Sequence, residues 1–127
     1  MNADETVLDH LTSRIIGSAM AVSNGLGTGF LEKVYENALA HELHKAGLTF
    51  LQQRDVTVMY DGVIVGDYAV DLLVEEAVIV ELKAVKAIVE IHRAQCINYL
   101  RATGLRVCLL RNFGNPRLEI RRVVVGL

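Results

Sequence analysis

The chain has 127 residues, a length that fits one folded domain over 1–127, and 52% of them are hydrophobic, enough for a sizeable core. The formal net charge is −2, and no apolar run reaches the roughly 18–20 residues that cross a bilayer, which argues against a membrane protein. The start, MNADETVLDH, is too acidic and polar for a secretory signal, and Cys96 and Cys108 lack CxxC spacing, so a cytoplasmic protein with free core thiols is expected.

Apolar residues at Val7, Leu8, Leu11, Ile15, Ala19 and Val22 recur with helical period and predict a first helix over 4–23, with Asp4 as its N-cap. The glycines of Ser23–Gly29 break it. A second helix is predicted from Phe30 to Ala46, with Phe30, Leu31, Val34, Tyr35, Ala38, Leu39 and Leu43 as its apolar stripe and Gly47 as its stop. Three strands follow. The first, Gln52 to Tyr60, alternates and ends at Asp61-Gly62, a strong hairpin signal. The second runs from Val63 to Val74. The third, Ala77 to Ala84, is nearly all apolar and reads as a central strand. A third helix is expected over Glu90 to Thr103, closed by Gly104. Leu105 to Arg111 and Leu118 to Val125 read as final strands around a turn at Asn112 to Pro116. The order ααβββαββ predicts an α/β fold with a mixed sheet flanked by helices.

Charge is unevenly spread. Residues 1–82 hold 4 basic against 13 acidic side chains, a net of −9, and residues 83–127 hold 9 against 2, a net of +7. A basic final third beside an acidic cluster suits a polyanion held against a cation site. The alternative is that the two halves interleave on one surface and cancel.

Residues 70–83 read VDLLVEEAVIVELK, so Asp71, Glu81 and Lys83 stand inside otherwise apolar strands. A lone buried charge costs several kcal/mol unless it is paired or binds a metal. Strand alternation puts Glu81 and Lys83 on one face. The side taken by Asp71 depends on the turn that follows it. A two-residue loop at Glu75-Glu76 pairs Asp71 with Val80 and separates the acids. A three-residue loop, Glu75 to Ala77, pairs Asp71 with Glu81, and this is the register expected. Two carboxylates and water make a hard, oxygen-only environment suited to Mg²⁺ or Mn²⁺. Such an ion lowers the pKa of water and stabilises charge on a phosphate oxygen, and Lys83 adds a second positive charge beside it. The competing reading is a structural Asp/Glu–Lys salt bridge without metal.

Asp71, Glu81 and Lys83, on a hairpin followed by a helix, resemble the metal-dependent PD-(D/E)xK nuclease core, with Val70 in place of the proline. Gly29-Phe30-Leu31-Glu32-Lys33-Val34-Tyr35 reads GxxExxY, and with the D…ExK hairpin it resembles the small GxxExxY proteins assigned to that superfamily. The resemblance covers almost the whole chain and implies a nuclease-like domain more firmly than it implies an activity. Glu32 resembles the helix-borne acid that joins the metal site in several members, which implies a third ligand and catalytic acid beside Asp71 and Glu81. Gln95-Cys96-Ile97-Asn98-Tyr99 reads QxxxY and resembles a helix motif of RecB-like nucleases whose Gln and Tyr line the substrate side. Their i, i+4 spacing gives them one helix face. Tyr35 is expected to pack, and Glu36 to stay on the surface.

Lys86, Arg93 and Arg101 are the candidate phosphate contacts, which carry no sequence preference. His41 and His44 read as helix-surface residues, since no third ligand follows at zinc spacing. His92 is a further candidate for phosphate. Three functions compete. One is a Mg²⁺- or Mn²⁺-dependent nuclease on DNA or RNA, the second a non-catalytic nucleic-acid-binding or regulatory module. The third is an interaction protein whose Val123–Val125 strand pairs with another subunit, as a homodimer or with a protein partner.

Overall fold

The computed structural model describes residues 3–117 and 119–126. The predicted strand start at Leu118 lies outside the described residues. Helix α1 spans Ala3–Leu26 and buries Leu8, Leu11, Ile15, Ala19 and Val22, while Val7 faces water. Asp4 sits in the first turn, where its charge favours the helix dipole, and is not the N-cap. The helix passes the predicted break because Leu26 packs against the core. It closes at Gly27, whose φ of +70° suits a glycine and whose N–H donates to the Ser23 carbonyl at 2.9 Å.

Helix α2 spans Glu32–Lys45 and buries Tyr35, Glu36, Leu39, Ala40 and Leu43. Phe30, Leu31 and Val34 are exposed, so the apolar stripe begins a turn later than the sequence suggests: Leu31 is extended backbone at the N-cap, off the helix axis. The helix ends as predicted. Leu48 N–H reaches the Leu43 carbonyl and Gly47 N–H the His44 carbonyl, both at 3.0 Å, a double bond pattern that needs the left-handed Gly47.

Strands β1 (Phe50–Tyr60) and β2 (Val63–Val74) form a long antiparallel hairpin. Asp61 and Gly62 both have positive φ, as its two-residue turn requires. Strand β3 (Val78–Lys83) pairs with β2 over Leu72–Val74, so the outer part of the hairpin projects as a two-stranded arm. Helix α3 (Glu90–Thr103) then crosses to β4 (Val107–Asn112), which lies parallel to β3. Strand β5 (Glu119–Val124) returns antiparallel, and Val123 and Val124 pair within the chain with Cys108 and Val107. The sheet order β1-β2-β3-β4-β5 and the sequence order ααβββαββ agree with the expected mixed α/β architecture. No helix of the described residues is long and apolar enough to cross a membrane.

The central strands are buried on both faces. Leu72, Val74, Val78, Val80, Leu82 and Leu109 pack toward α1 and α2. Ile79, Cys108 and Leu110 pack toward Cys96 and Leu100 of α3. Each such aliphatic side chain contributes about 1.5–3 kcal/mol by leaving water. The Val, Leu and Ile runs of β3 and β4 are long because neither face alternates to solvent.

One polar node sits where β3 and β4 end. Asn112, read from sequence as a turn residue, closes β4 and is fully buried. Its amide donates to the Val85 carbonyl and to Glu119 Oε1, both at 2.8 Å, and its oxygen accepts from the N–H groups of Val85 and Gly114. Gly114 lies against that segment so closely that a Cβ would come 2.2 Å from the Val85 oxygen. Beside it, buried Arg111 donates to the Asn112 and Glu119 carbonyls and to Ser23 Oγ, with its guanidinium over the Phe113 ring. Replacing Asn112 by alanine strips four hydrogen bonds from a dry site and leaves the Val85 N–H unpaired. A loss of roughly 2–4 kcal/mol of unfolding free energy is expected by urea denaturation, whereas a change below about 0.5 kcal/mol would show that the node is dispensable.

Candidate active site

The link from β2 to β3 has three residues, Glu75 to Ala77. Glu75 and Glu76 are both left-handed, with φ of 53° and 55°, and Ala77 N–H closes on the Val74 carbonyl at 3.0 Å. Glu75 is anchored further. Its carboxylate accepts from the Thr49 N–H at 2.7 Å and from the Thr49 hydroxyl, and its N–H donates to the Thr49 carbonyl at 2.9 Å. Those bonds hold the Glu75 carboxyl below the usual range. The pairs Val74↔Val78, Leu73↔Ile79 and Leu72↔Val80 follow, and one step further Asp71 stands opposite Glu81.

At that step the backbone ladder gives way to side chains. The Asp71 N–H donates to Glu81 Oε1 at 2.9 Å, and the Leu82 N–H donates to Asp71 Oδ2 at 2.7 Å. Each carboxylate therefore caps the backbone of the opposite strand, which fixes both side chains without a cation.

Electrostatics leave the pair short of positive charge. Burial and then the charge of Asp71 push Glu81 up to about 8. Burial also raises Asp71, against the hydrogen bond from Leu82. Lys83 lowers both acids through space, yet no ion pair joins it to either among the described residues. The arrangement is thus two opposed acids with a lysine near them, and the salt-bridge alternative does not describe it. Two carboxyl oxygen donors in a partly dry site, one kept protonated near neutral pH because its charge would repel the other, are a donor set that fits a hard divalent cation able to displace that proton.

Helix α2 supplies a buried acid that sequence reasoning missed. Glu36, expected on the surface, is almost fully buried. It accepts from Lys33 Nζ at 2.8 Å, Gln52 Nε2 at 2.7 Å and Gln53 Nε2 at 2.6 Å. The same Gln53 amide reaches Asp71 Oδ1 at 3.3 Å, and the charge of Glu36 raises the Asp71 carboxyl. Gln53 holds this bridge from a left-handed backbone, φ 53°, that costs a non-glycine residue about 1–2 kcal/mol. The signal for Glu36 was its helix phase: it shares the stripe of Leu39, Ala40 and Leu43.

Glu32 is the exposed first residue of α2, and its charge adds to the rise at Glu81. Among the described residues no three His, Cys, Asp or Glu side chains converge closely enough to hold a metal ion, so the structure brings together Asp71 and Glu81 and keeps Glu32 at a distance. Tyr35 packs as expected. It is fully buried, stacks on Phe113 at 4.6 Å and donates to the Gly27 carbonyl at 2.7 Å, tying the glycine loop to the core.

Gln95, Tyr99 and Arg101 of α3 line a groove of about 640 Å³ whose other wall is the β1–β2 arm. Burial and then the charge of Glu81 push Tyr99 up to about 12. Lys86 and Arg93 are exposed and make no hydrogen bond or ion pair to the acids; Arg93 contacts Glu90 at 3.4 Å. His92 is a capping residue, its Nδ1 accepting from the Val89 N–H at 3.1 Å. His41 and His44 are exposed on α2. Part of the basic final third turns back to the acidic start, through Arg122–Asp9 at 2.6 Å and Arg106–Asp4 at 3.9 Å.

A model of the PD-(D/E)XK nuclease superfamily matches residues 9–123. The crystal structure of SSO0001 superposes with a TM-score of 0.55 at 14% identity, covering 75% of this chain and 50% of that one, a likeness of fold alone. The chain thus spans half the length of that structure. No curated protein matches the sequence.

The raised Glu81 has a measurable consequence. Folded and metal-free, it keeps its proton to about pH 8, while unfolded it loses it near 4.5. The folded state binds more protons across that window, so this contribution is fully present below pH 4.5 and is lost as pH rises through 8. In EDTA the urea midpoint should fall between pH 5.5 and 9, and Glu81→Gln should flatten the fall. Equal slopes for both proteins would show that Glu81 is charged throughout.

Proposed function

This chain belongs to the PD-(D/E)XK nuclease superfamily, and from that membership and its paired acids we propose a Mg²⁺- or Mn²⁺-dependent nuclease that hydrolyses phosphodiester bonds of DNA or RNA. The observation that carries the reading is the reciprocal capping of Asp71 and Glu81, which holds the two carboxyl groups against each other's strands with Lys83 two residues on. The GxxExxY stretch, Gly29 to Tyr35, supports a narrower kinship with the small proteins of that name. The buried, unbridged thiols of Cys96 and Cys108 support a reducing compartment, the cytoplasm.

Asp71 and Glu81 would hold the cation, with Glu32 joining them from the start of α2 by a change of rotamer or through water. When bound, the cation supplies Lewis acidity and offsets the repulsion between the acids. Glu81 must first give up its proton. Gln53 keeps Asp71 oriented through its amide. Lys83 stabilises charge developing on the phosphate as water adds to phosphorus and the P–O bond to the leaving alkoxide breaks. Gln95 and Tyr99 position the substrate, while Lys86, Arg93 and Arg101 neutralise neighbouring phosphates.

The lack of a third converging acid among the described residues favours a second reading, a non-catalytic nucleic-acid-binding or regulatory module. Incubation with single- and double-stranded DNA and RNA in Mg²⁺, Mn²⁺ or EDTA separates the two. Cleavage in Mn²⁺ should vanish in EDTA and in Asp71→Ala and Glu81→Ala, and fall about 10²–10³-fold in Lys83→Ala. Salt-sensitive binding without cleavage under either metal would establish the second reading, and cleavage that survives Asp71→Ala would remove these acids from the site.

A further inference from the structure

We propose that the groove between the β1–β2 arm and α3 binds unpaired nucleobases, with one base stacked on Tyr68, so that the substrate is single-stranded or frayed nucleic acid. This rests on the nuclease reading above and extends it to the form of the strand.

The groove encloses about 640 Å³. Sites for single small molecules occupy roughly 300–1,000 Å³, so the groove has room for one or two bases. Its walls combine a ring surface with polar rims. Tyr68, on the arm, is 54% exposed although it is a large aromatic on a strand. Its ring meets Tyr99 edge-on, with centroids 6.1 Å apart and planes at 60°, so Tyr99 does not cover it as a parallel partner would. The ring is also held in place. It lies over Gly66, two residues earlier on the same face, where a Cβ would come within 3.3 Å of the Tyr68 Cε2. That glycine gives the ring a flat bed on the strand.

The polar complement suits a nucleotide. Gln95 and Asn98 each present an amide donor and an acceptor, the pair of groups that base edges offer in return. Arg101 makes no hydrogen bond or ion pair among the described residues and lies exposed at the rim, available to a phosphate. Among the described residues no acidic side chain lines the groove, in a chain whose net charge is negative. The charges of Asp71 and Glu81 act on the hydroxyl of Tyr99, the ring that meets Tyr68 in the groove. In a duplex a base is turned inward against its partner and is not available to the Tyr68 ring.

Fluorescence anisotropy in EDTA, at one fixed salt concentration, tests this with labelled 12-nucleotide DNA and RNA strands and a blunt 12-base-pair DNA duplex. Single strands should bind more tightly than the duplex. Tyr68→Ala should weaken single-strand binding by about tenfold or more, Tyr68→Leu should do the same while preserving apolar bulk on the strand, and Tyr68→Phe should retain it. A preference for the DNA or the RNA strand names the sugar and supports the proposal in either case. Equal affinity for strand and duplex, or an unchanged Kd in both Tyr68→Ala and Tyr68→Leu, would overturn it. The two readings fail separately: Mn²⁺-dependent cutting of the blunt duplex by Tyr68→Ala at the unmodified rate keeps the nuclease and removes the base groove. Tyr68-dependent strand binding with no cleavage under any metal removes the nuclease.

Discussion

Where β2 and β3 part beyond Leu72 and Val80, the backbone ladder stops and two carboxylates take over its bonds. Asp71 answers the N–H of Leu82, and Glu81 answers the N–H of Asp71. Ordinary strand divergence would leave those donors to water or leave them unpaired, at a cost of about 1–3 kcal/mol each when buried. The acids are therefore held by the same bonds that complete the sheet. Their placement follows from a turn of odd length, because side chains alternate with period two and a turn one residue shorter would put them on opposite faces. Thr49 protects that length by binding both the carboxylate and the N–H of Glu75.

The order of elements was legible in the sequence because each is bounded by strong local chemistry. Gly47 and Gly104 stop helices from left-handed positions, and Asp61-Gly62 turns a hairpin. The register of Asp71 against Glu81 was legible only as a choice between two turn lengths, since Glu75 and Glu76 are exposed and carry no apolar signal. Other features depended on contacts distant in sequence. The exposure of Phe30 and Leu31 follows from where α2 begins, which is set when Tyr35 stacks on Phe113, a residue 78 positions away in a loop after β4. Gln53 gave no sign of its left-handed backbone, because the partner that holds it is Glu36, on another element. Asn112 read as a turn residue for its composition and proved to be a buried connector.

Helix α2 serves two ends of the site at once. Through Tyr35 it holds the glycine loop and Phe113, next to the segment that follows Lys83, whose carbonyl accepts from the Phe113 N–H at 2.8 Å. Through Glu36 it holds Gln53 and hence Asp71. Tyr35 and Glu36 are adjacent in sequence and project about 100° apart on the helix, so one rigid rod fixes both the lysine end of β3 and the aspartate of β2. The cost is a set of acids gathered near one another, offset in part by Lys33 and by glutamine amides in place of further cations.

The two walls of the groove differ in stiffness. Helix α3 is packed into the core through Cys96 and Leu100. The arm opposite it is a hairpin without a third strand over its outer half, and two strands alone are marginally stable in water. Its amides near Met59 and Val63 should exchange with solvent hydrogen far sooner than those of β3. A cleft with one firm wall and one yielding wall adjusts its width to what enters it. In the base-binding role proposed above, purines and pyrimidines would then cost little to exchange for one another, and selectivity would shift from the identity of the base to whether the base is free.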